Sequence, residues 1–361
     1  MINISELVLL DDIVHLPKET LKEICTNLNT PEDGSISELV SKIWPQMKES
    51  TAKRTQVYES CKARIFGGKT SVSWYKFAEG IQGVKDLIIE NTPEFNPFEE
   101  IKIPQRDSIS SEPMLIGAAT GPNEGEYYLR YMYKVGVTRE IIMDSIELKP
   151  RTTTTTLYVN EVDGYIEVRT DPRNSNKIAK SFAQLIKLQI AMEPIQVTAP
   201  FGHSAERFAD ALTGELIDTV GKPNLALDEF TEAQANSVVS ILSALDAYFE
   251  NEDINELQSN LQEARQSLGD DFTSIPFTSL ILNGMEKVGM GVKERDLRGT
   301  PLYDYLSSSI EHQGCFIQFP VNEDGINVIH TIRVGLQSNS VFFMSQASEV
   351  AIDFVRKCVI I

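Results

Sequence analysis

Apolar side chains recur at helical spacing in the first fifty residues. Residues 19–29 place four of them on one helical face: Leu21, Ile24, Cys25 and Leu28. Pro31 ends this helix, and after Gly34 either Ser35 or Ser37 is placed to cap a second one. The apolar face of that second helix consists of Leu39, Val40, Ile43 and Trp44. We therefore predict a helical hairpin, which must bury its apolar faces against other parts of the chain.

Around Gly67 and Gly68 the pattern changes to residue-by-residue alternation, which indicates strands. Polar and apolar positions alternate upstream from Tyr58 to Ile65 and downstream from Thr70 to Tyr75. A Gly-Gly pair between two such runs is typical of a two-residue turn. The sequence predicts a β-hairpin over residues 57–77.

The centre of the chain has alternating runs followed by one helical run. We predict strands near residues 127–137, 140–149, 152–159 and 165–170, and a helix over 174–192. One face of the last two strands is apolar and consists of Leu157, Val159, Ile166 and Val168. The other face is polar or aromatic and consists of Thr154, Thr156, Tyr158, Tyr165, Glu167 and Arg169. Strands covered by a helix form an α+β unit.

Helical spacing returns after residue 200, and strands return near the end. We predict helices over about 203–220, from about 231, over 253–268 and over 277–288, with a flexible joint at 289–291. Strands at 315–319, 327–335 and 340–344 precede a closing helix over 349–358. The predicted fold class is modular α+β. Its six parts are a helical module (1–50), a basic β-hairpin (51–85), a proline-rich linker (86–124), an α+β domain (125–200), an acidic helical region (201–275) and a C-terminal α+β region (276–361).

The N-terminal module resembles a SAP domain, a small helical DNA-binding module. The stretch from Leu21 to Ile43 fits that family's pattern without a gap: LKEICTNLN, a polar turn containing Gly34, then SELVSKI. The resemblance covers about residues 8–46 and implies a DNA contact. Ile36 stands where the family usually carries a basic residue, so a helical hairpin used for protein contact is the alternative.

The charge of the chain is unevenly distributed. The formal net charge is −19 at pH 7, which excludes nucleic-acid binding by the whole surface because such binding neutralises phosphates. Residues 51–85 nevertheless hold seven basic and two acidic side chains, whereas residues 201–275 hold three basic and fifteen acidic ones. Any contact with nucleic acid must therefore come from a local basic patch.

The predicted hairpin supplies such a patch. Basic side chains lie on or beside its strands, with an aromatic side chain among them, and this combination suits a nucleic-acid backbone and stacked bases. The candidate nucleic-acid-binding residues are Lys62, Arg64, Lys69, Trp74 and Lys76. The alternative is a solvated hairpin edge on which lysines prevent aggregation.

Two further surfaces are candidates. The polar face of the central strands carries Arg130, Arg151, Arg169 and Arg173, which form either a second phosphate surface or ordinary cross-strand pairs with glutamates. The acidic region is either a solvated face or a surface for a protein partner. Its candidate partner-binding residues are Glu250, Glu252 and Asp253.

Signals for catalysis are weak. Ala63 to Thr70 fits a relaxed phosphate-loop pattern, but the strict form has glycine in place of Ala63. The residues after Thr70 indicate a strand, whereas a phosphate cradle needs a helix there. We therefore expect the loop to bind no nucleotide. Two acid-x-lysine pairs, Glu100–Lys102 and Glu147–Lys149, keep a cryptic metal-dependent nuclease open as an alternative.

The cysteines and histidines indicate neither a disulfide framework nor a metal site. No two of the four cysteines lie at zinc-ligand spacing, and the four histidines form no HExxH motif. Scattered thiols are typical of buried side chains in a reducing compartment. We expect no cofactor, no metal and no catalytic residue.

These observations favour a non-enzymatic, cytoplasmic, DNA-associated adaptor that positions a protein partner. No apolar run is long enough to cross a membrane, and the N-terminus carries acidic side chains where a signal peptide is basic. A subunit of a bacterial anti-phage defence complex would suit such a chain. The alternatives are a purely protein-binding scaffold and the cryptic nuclease.

Overall fold

The computed structural model describes residues 4–62, 66–77, 81–105, 108–142, 145–188, 192–223, 288–291, 296–299, 310–323, 325–336 and 338–360, together with single positions or short runs between 236 and 266 and at 303. Within these residues the chain is a mixed α+β fold built on a large antiparallel sheet. The predicted fold class is therefore confirmed.

Helices form the beginning of the chain. They are α1 (Leu10–Val14), α2 (Lys18–Asn27), α3 (Ile36–Glu49) and α4 (Thr51–Cys61). Ser35 caps α3 by accepting from the backbone N–H of Glu38, whose carboxylate accepts from the N–H of Ser35 in return. The hairpin of α2 and α3 is confirmed, with the predicted Leu21, Ile24 and Cys25 buried. Its likeness to a SAP domain stays a prediction.

Eleven strands form the sheet in the described residues. They are β1 (Ser71–Lys76), β2 (Met114–Thr120), β3 (Glu126–Ile142), β4 (Ser145–Asn160), β5 (Tyr165–Arg169), β6 (Glu193–Pro194), β7 (Glu215–Pro223), β8 (Val288–Gly291), β9 (Ile310–Glu323), β10 (Ile326–Gly335) and β11 (Ser340–Phe343). The order across the sheet is β2-β3-β4-β5-β1-β11-β10-β9-β7-β8, and β6 pairs with β1. Strand β1 thus joins the central strands to the C-terminal strands.

The remaining helices cover the two faces of this sheet. They are α5 (Val84–Glu90), α6 (Pro172–Leu185), α7 (Ala205–Ala211) and α8 (Glu349–Val359). Helices α5 and α6 pack on one face with Leu157, Ile166 and Val168. The N-terminal helices and α8 pack on the other face, over side chains that include Trp74 and Tyr158. The central strands are therefore buried on both sides.

The β3–β4 hairpin extends beyond its neighbours. Strand β2 pairs with β3 only as far as Met132, and β5 pairs with β4 only from Thr156 onward. Past these points, the described residues of β3 and β4 pair with each other alone. The far end exposes Val137 (52%), Ile141 (76%), Ile146 (67%) and Leu148 (62%). A β-ribbon with an apolar end therefore projects from the sheet.

Several sequence-based expectations need correction. The basic β-hairpin does not form, because residues 51–61 are helix α4 and β1 pairs with β5 and β11. The segment read as a proline-rich linker contains α5 and β2. The expected helix over 203–220 ends at Ala211 and is followed by β7, and the expected joint at 289–291 is part of β8. Tertiary pairing decides these segments, which local spacing leaves ambiguous.

The C-terminal elements agree with expectation. The three predicted strands and the closing helix correspond to β9, β10, β11 and α8. The helices expected from about 231, over 253–268 and over 277–288 lie largely or wholly outside the described residues.

Candidate nucleic-acid interface

A buried ionic cluster lies beneath the helices on the polar face of the central strands. Glu167 is fully buried, and its carboxylate accepts from Arg169 Nε at 2.8 Å and from Arg356 Nε at 2.7 Å. The indole Nε1–H of Trp74 donates to the same carboxylate at 2.9 Å. Because burial of a lone carboxylate is costly, the two arginines and the indole together make this position tolerable.

The cluster ties the strands to α8. Arg169 Nη2 donates to Glu349 at 2.8 Å, and Arg169 Nη1 donates to the carbonyl oxygen of Phe66 at 2.9 Å. Burial alone would raise the pKa of Glu167, but the charges of Arg356 and Arg169 and their hydrogen bonds outweigh it and hold the pKa at about 2. Glu167 therefore stays ionised, and the cluster is structural.

A first cavity, which we call the tyrosine cleft, opens beside this cluster. Its volume is about 970 Å³, and it lies between the ends of β3, β4 and β5, the segment 195–200 and α8. Tyr128 and Tyr158 form part of its wall, and burial raises the pKa of both phenols. The phenols therefore remain protonated and cannot act as bases near neutral pH.

A second cavity, the polar pocket, lies under the loop that contains Gly67 and Gly68. Its volume is about 300 Å³. The charged side chains that line it are Asp11, Asp12, Lys69, Arg130, Arg169 and Asp171, and threonine hydroxyls line much of the rest. Arg130 is 3% exposed, donates to Asp12 at 2.6 Å and has no hydrogen-bond partner for its Nε.

A third cavity, the basic groove, follows the root of the β3–β4 ribbon and the first turns of α6. Its volume is about 800 Å³. Its lining consists of Ser111, Tyr133, Lys134, Val135, Arg151, Thr152, Thr153, Thr170, Asp171, Arg173, Asn174 and Lys177. Four of these side chains are cationic and one is acidic. The groove and the polar pocket share Thr153, Thr170 and Asp171, so the two cavities adjoin.

The cations of the groove come from two elements. Lys134 lies opposite Thr152 beside a bulge in β3, and Arg151 lies opposite Gly136 across the same bulge. Arg173 and Lys177 are four residues apart on α6 and thus share a face of the helix. A bulge and a helix start therefore bring four positive charges to one surface.

The predicted nucleic-acid-binding residues do not share one surface. Trp74 is 1% exposed and bonded to Glu167, so its predicted role in stacking on bases is wrong. Lys62 is exposed at the end of α4 and pairs with Glu59 at 2.6 Å. Lys69 lines the polar pocket, whereas Lys76 lines the tyrosine cleft. Arg64 lies outside the described residues. The hairpin that was expected to align them is absent.

Of the other two predicted surfaces, the arginine face lies within the described residues, and its side chains also do not share one surface. Arg130 and Arg169 are buried and paired, but not across strands as expected: Arg130 pairs with Asp12 of α1, and Arg169 pairs with Glu167 of its own strand. Arg151 and Arg173 line the basic groove. The predicted partner-binding residues Glu250, Glu252 and Asp253 lie outside the described residues.

Sequence reasoning missed two residues of the groove, Lys134 and Lys177. Lys177 follows Arg173 by one helical turn, and this spacing was visible in the sequence. Lys134 resembles the other strand lysines, and the only signal for the bulge that places it beside Arg151 is the isolated Gly136 within the strand pattern.

The loop of the relaxed phosphate motif uses its backbone for hydrogen bonds within the protein. The N–H of Gly68 donates to the carbonyl of Ala347 at 3.1 Å, and the N–H of Ala347 donates back to Gly68 at 3.3 Å. A Cβ at Gly67 would lie 2.2 Å from the same carbonyl oxygen. Strand β1 follows the loop, whereas a phosphate loop is followed by a helix. That the loop binds no nucleotide stays a prediction.

The acid-x-lysine pairs are engaged in local ion pairs. Lys102 pairs with Glu94 at 2.7 Å, and Lys149 pairs with Glu140. Among the described residues, no three His, Cys, Asp or Glu side chains are grouped as metal ligands would be.

No family model matches this chain, and a search of curated proteins found no match either. In the part of the chain that the structure describes, no helix combines the length and apolarity needed to cross a membrane.

Proposed function

We propose that this protein is a cytoplasmic, non-enzymatic, DNA-associated adaptor that contacts the phosphate backbone through the basic groove. One observation carries the proposal: four cations and a single carboxylate line a groove of about 800 Å³ on a chain whose net charge is −19. Phosphate contacts dominate the affinity of proteins for nucleic acid. A local cationic groove is the feature that such a strongly acidic protein needs.

The cations of the groove are available to a ligand. Lys134 and Arg151 have no ion-pair partner among the described residues. Arg173 pairs with Asp171 at 2.7 Å and Lys177 pairs with Glu112 at 3.3 Å, but these pairs are exposed. Exposed ion pairs contribute only about 0–1 kcal/mol, so phosphate oxygens compete for these side chains at little cost.

Neutral groups of the groove add hydrogen-bonding capacity. Hydroxyl and amide side chains donate to phosphate oxygens in many complexes with nucleic acid. The groove presents such groups from Ser111, Thr152, Thr153 and Asn174. The combination of guanidinium, ammonium and hydroxyl donors suits a sugar–phosphate backbone.

The test is a charge reversal with a matched control. The double variant Lys134→Glu/Arg151→Glu should lower DNA affinity at least about tenfold at low salt, because it removes about two of four phosphate contacts. The control Lys62→Glu/Lys76→Glu makes the same change in net charge at exposed positions outside the groove, and it should bind as the parent does. Fluorescence anisotropy between 50 and 200 mM salt measures both, and the parent's log–log slope on duplex DNA should be about −3.6.

Two results would contradict the assignment. If the control loses affinity and the groove variant does not, the basic segment 51–85 is the contact and the groove is not. If the parent binds neither DNA nor RNA at low salt, the adaptor proposal fails.

A protein-binding scaffold is the second candidate, and the end of the β3–β4 ribbon favours it. Four large aliphatic side chains are more than half exposed there. Clustered exposed apolar side chains often mark a protein contact. An adaptor also needs such a contact, so the two candidates differ only in whether DNA binds.

A further inference from the structure

We infer that the polar pocket receives one unpaired base of a DNA strand whose phosphates lie in the basic groove. This inference rests on the proposed function and names its substrate class, single-stranded DNA. The first observation is position. Because the pocket and the groove share Thr153, Thr170 and Asp171, a strand in the groove passes the pocket opening.

The second observation is how charge divides between the two cavities. The groove has four cations against one carboxylate. In the pocket, Lys69, Arg130 and Arg169 are balanced by three aspartates. A phosphodiester anion gains little in a cavity without net positive charge, whereas an uncharged base meets no repulsion there. The basic groove therefore suits the phosphate backbone, and the polar pocket suits an uncharged base.

The third observation is unused hydrogen-bonding capacity. Thr153 Oγ1 has no partner among the described contacts, and Gln346 donates its amide to the carbonyl oxygen of His15, which leaves its own amide oxygen free. Lys69 is exposed and lines the same pocket. These groups offer both donors and acceptors, which the edges of a base require.

The size of the pocket sets a limit. Sites for small molecules span roughly 300–1,000 Å³, and at about 300 Å³ the pocket has room for one base. Its roof is fixed by the two hydrogen bonds between Gly68 and Ala347. A duplex must therefore open before a base can enter, and opening costs free energy.

The experiment compares oligonucleotides with equal numbers of phosphates. Anisotropy at low salt should show that at least one of dT10, dA10 and dC10 binds about tenfold more tightly than a ten-residue abasic strand. The near-isosteric Thr153→Val and Gln346→Met variants should reduce that preference to the abasic level. The affinity of the Gln346→Met variant for the abasic strand should equal the parent's, because Gln346 lines the pocket and not the groove. The thermal midpoints of both variants should stay close to the parent's.

The outcomes separate the two claims. If all homopolymers and the abasic strand bind the parent equally, or if a matched duplex binds more tightly than any single strand, the base-pocket inference is wrong while the groove proposal stands. The same holds if both pocket variants keep the full preference. If no strand binds the parent, the proposed function itself fails.

Discussion

Two pairs of cationic side chains, each four residues apart in the chain, have opposite surroundings. Arg130 and Lys134 both lie on β3, yet Arg130 is 3% exposed and paired with Asp12, whereas Lys134 has no ion-pair partner among the described residues. Arg169 and Arg173 flank the start of α6, and their side chains are 1% and 88% exposed. In each pair the first cation is buried and supports the fold, and the second, four residues later, lies at the surface.

The cause of this difference is the cover over the polar face. Helix α1 supplies Asp12 to Arg130, and α8 supplies Glu349 to Arg169. Both helices lie above the sheet centre and pack into the same apolar core. Past that cover the strands meet solvent, and cations there need no partner to be stable. Burial thus separates arginines that hold the fold from cations that are free to bind.

The largest effect in this comparison should come from Glu167. The Glu167→Gln variant keeps the shape of the side chain but leaves Arg169 and Arg356 without their shared counter-charge. Breaking a buried ion pair costs about 3–5 kcal/mol in the free energy of unfolding. Urea unfolding measures this, with Arg151→Gln as the control on the exposed set, expected within about 0.5 kcal/mol of the parent. A loss below about 1 kcal/mol for Glu167→Gln would show that the buried set is not structural.

A smaller effect should appear as pH dependence. The pKa of Glu167 is lowered to about 2 from its ordinary value of 4.5, so its stabilising contribution is present above pH 4.5 and is lost as the pH falls toward 2. At pH 3 the gap between the parent and Glu167→Gln should therefore narrow by about 2 kcal/mol, at 1.36 kcal/mol for each pKa unit.

Comparing the two proteins cancels the titration of the other carboxylates. Burial raises the pKa of Asp12 more than Arg130 lowers it, so protonation of Asp12 at low pH stabilises the fold, whereas protonation of Glu167 destabilises it. Asp12 makes the same contribution in both proteins. Urea midpoints at pH 6 and pH 3 give the two gaps. A gap of equal size at both values would mean that folding does not lower the pKa of Glu167, and a wider gap at pH 3 would mean that Glu167 is protonated in the folded protein.

The sequence predicts the two faces of the central strands, but it does not predict which side chains are buried by helices. Alternation in residues 152–170 correctly separates the apolar face of Leu157 and Val168 from the face of Glu167 and Arg169. That pattern cannot say which face water reaches. In the structure, helices cover both faces of these strands. The polar face is an ionic core because α1 and α8, which are distant from the strands in sequence, pack over it.

The misread segment around Gly67 and Gly68 has a similar cause. Alternation before the glycines is short enough to suit a helix or a strand, and the helix α4 prevails because it packs Val57 and Cys61 into the N-terminal core. Downstream, the sequence predicts Trp74 as an exposed residue that stacks on bases, but in the structure β5 places Glu167 opposite it. Long-range pairs of this kind leave no local signature.

The smallest effect concerns Arg173, the exposed member of the second pair. Its guanidinium donates to Asp171, and this hydrogen bond is the largest cause of the depressed pKa of that carboxyl, about 2; the backbone N–H of Arg173 contributes next. In Arg173→Ala the pKa of Asp171 should rise but stay below 3.8, because the backbone N–H still donates. An NMR titration of the carboxyl carbon measures this shift.

Stability and DNA binding should respond differently to the same substitution. The free energy of unfolding should stay close to the parent's, since exposed ion pairs contribute little. The log–log salt slope for duplex DNA should become shallower by about 0.9, the amount expected for one lost phosphate contact. Lys180→Ala, an exposed cation on α6 outside the groove lining, is the control and should leave the slope unchanged. If Arg173→Ala instead destabilises the protein as strongly as Glu167→Gln does, Arg173 belongs with the structural cations, and the division by burial is wrong for this pair.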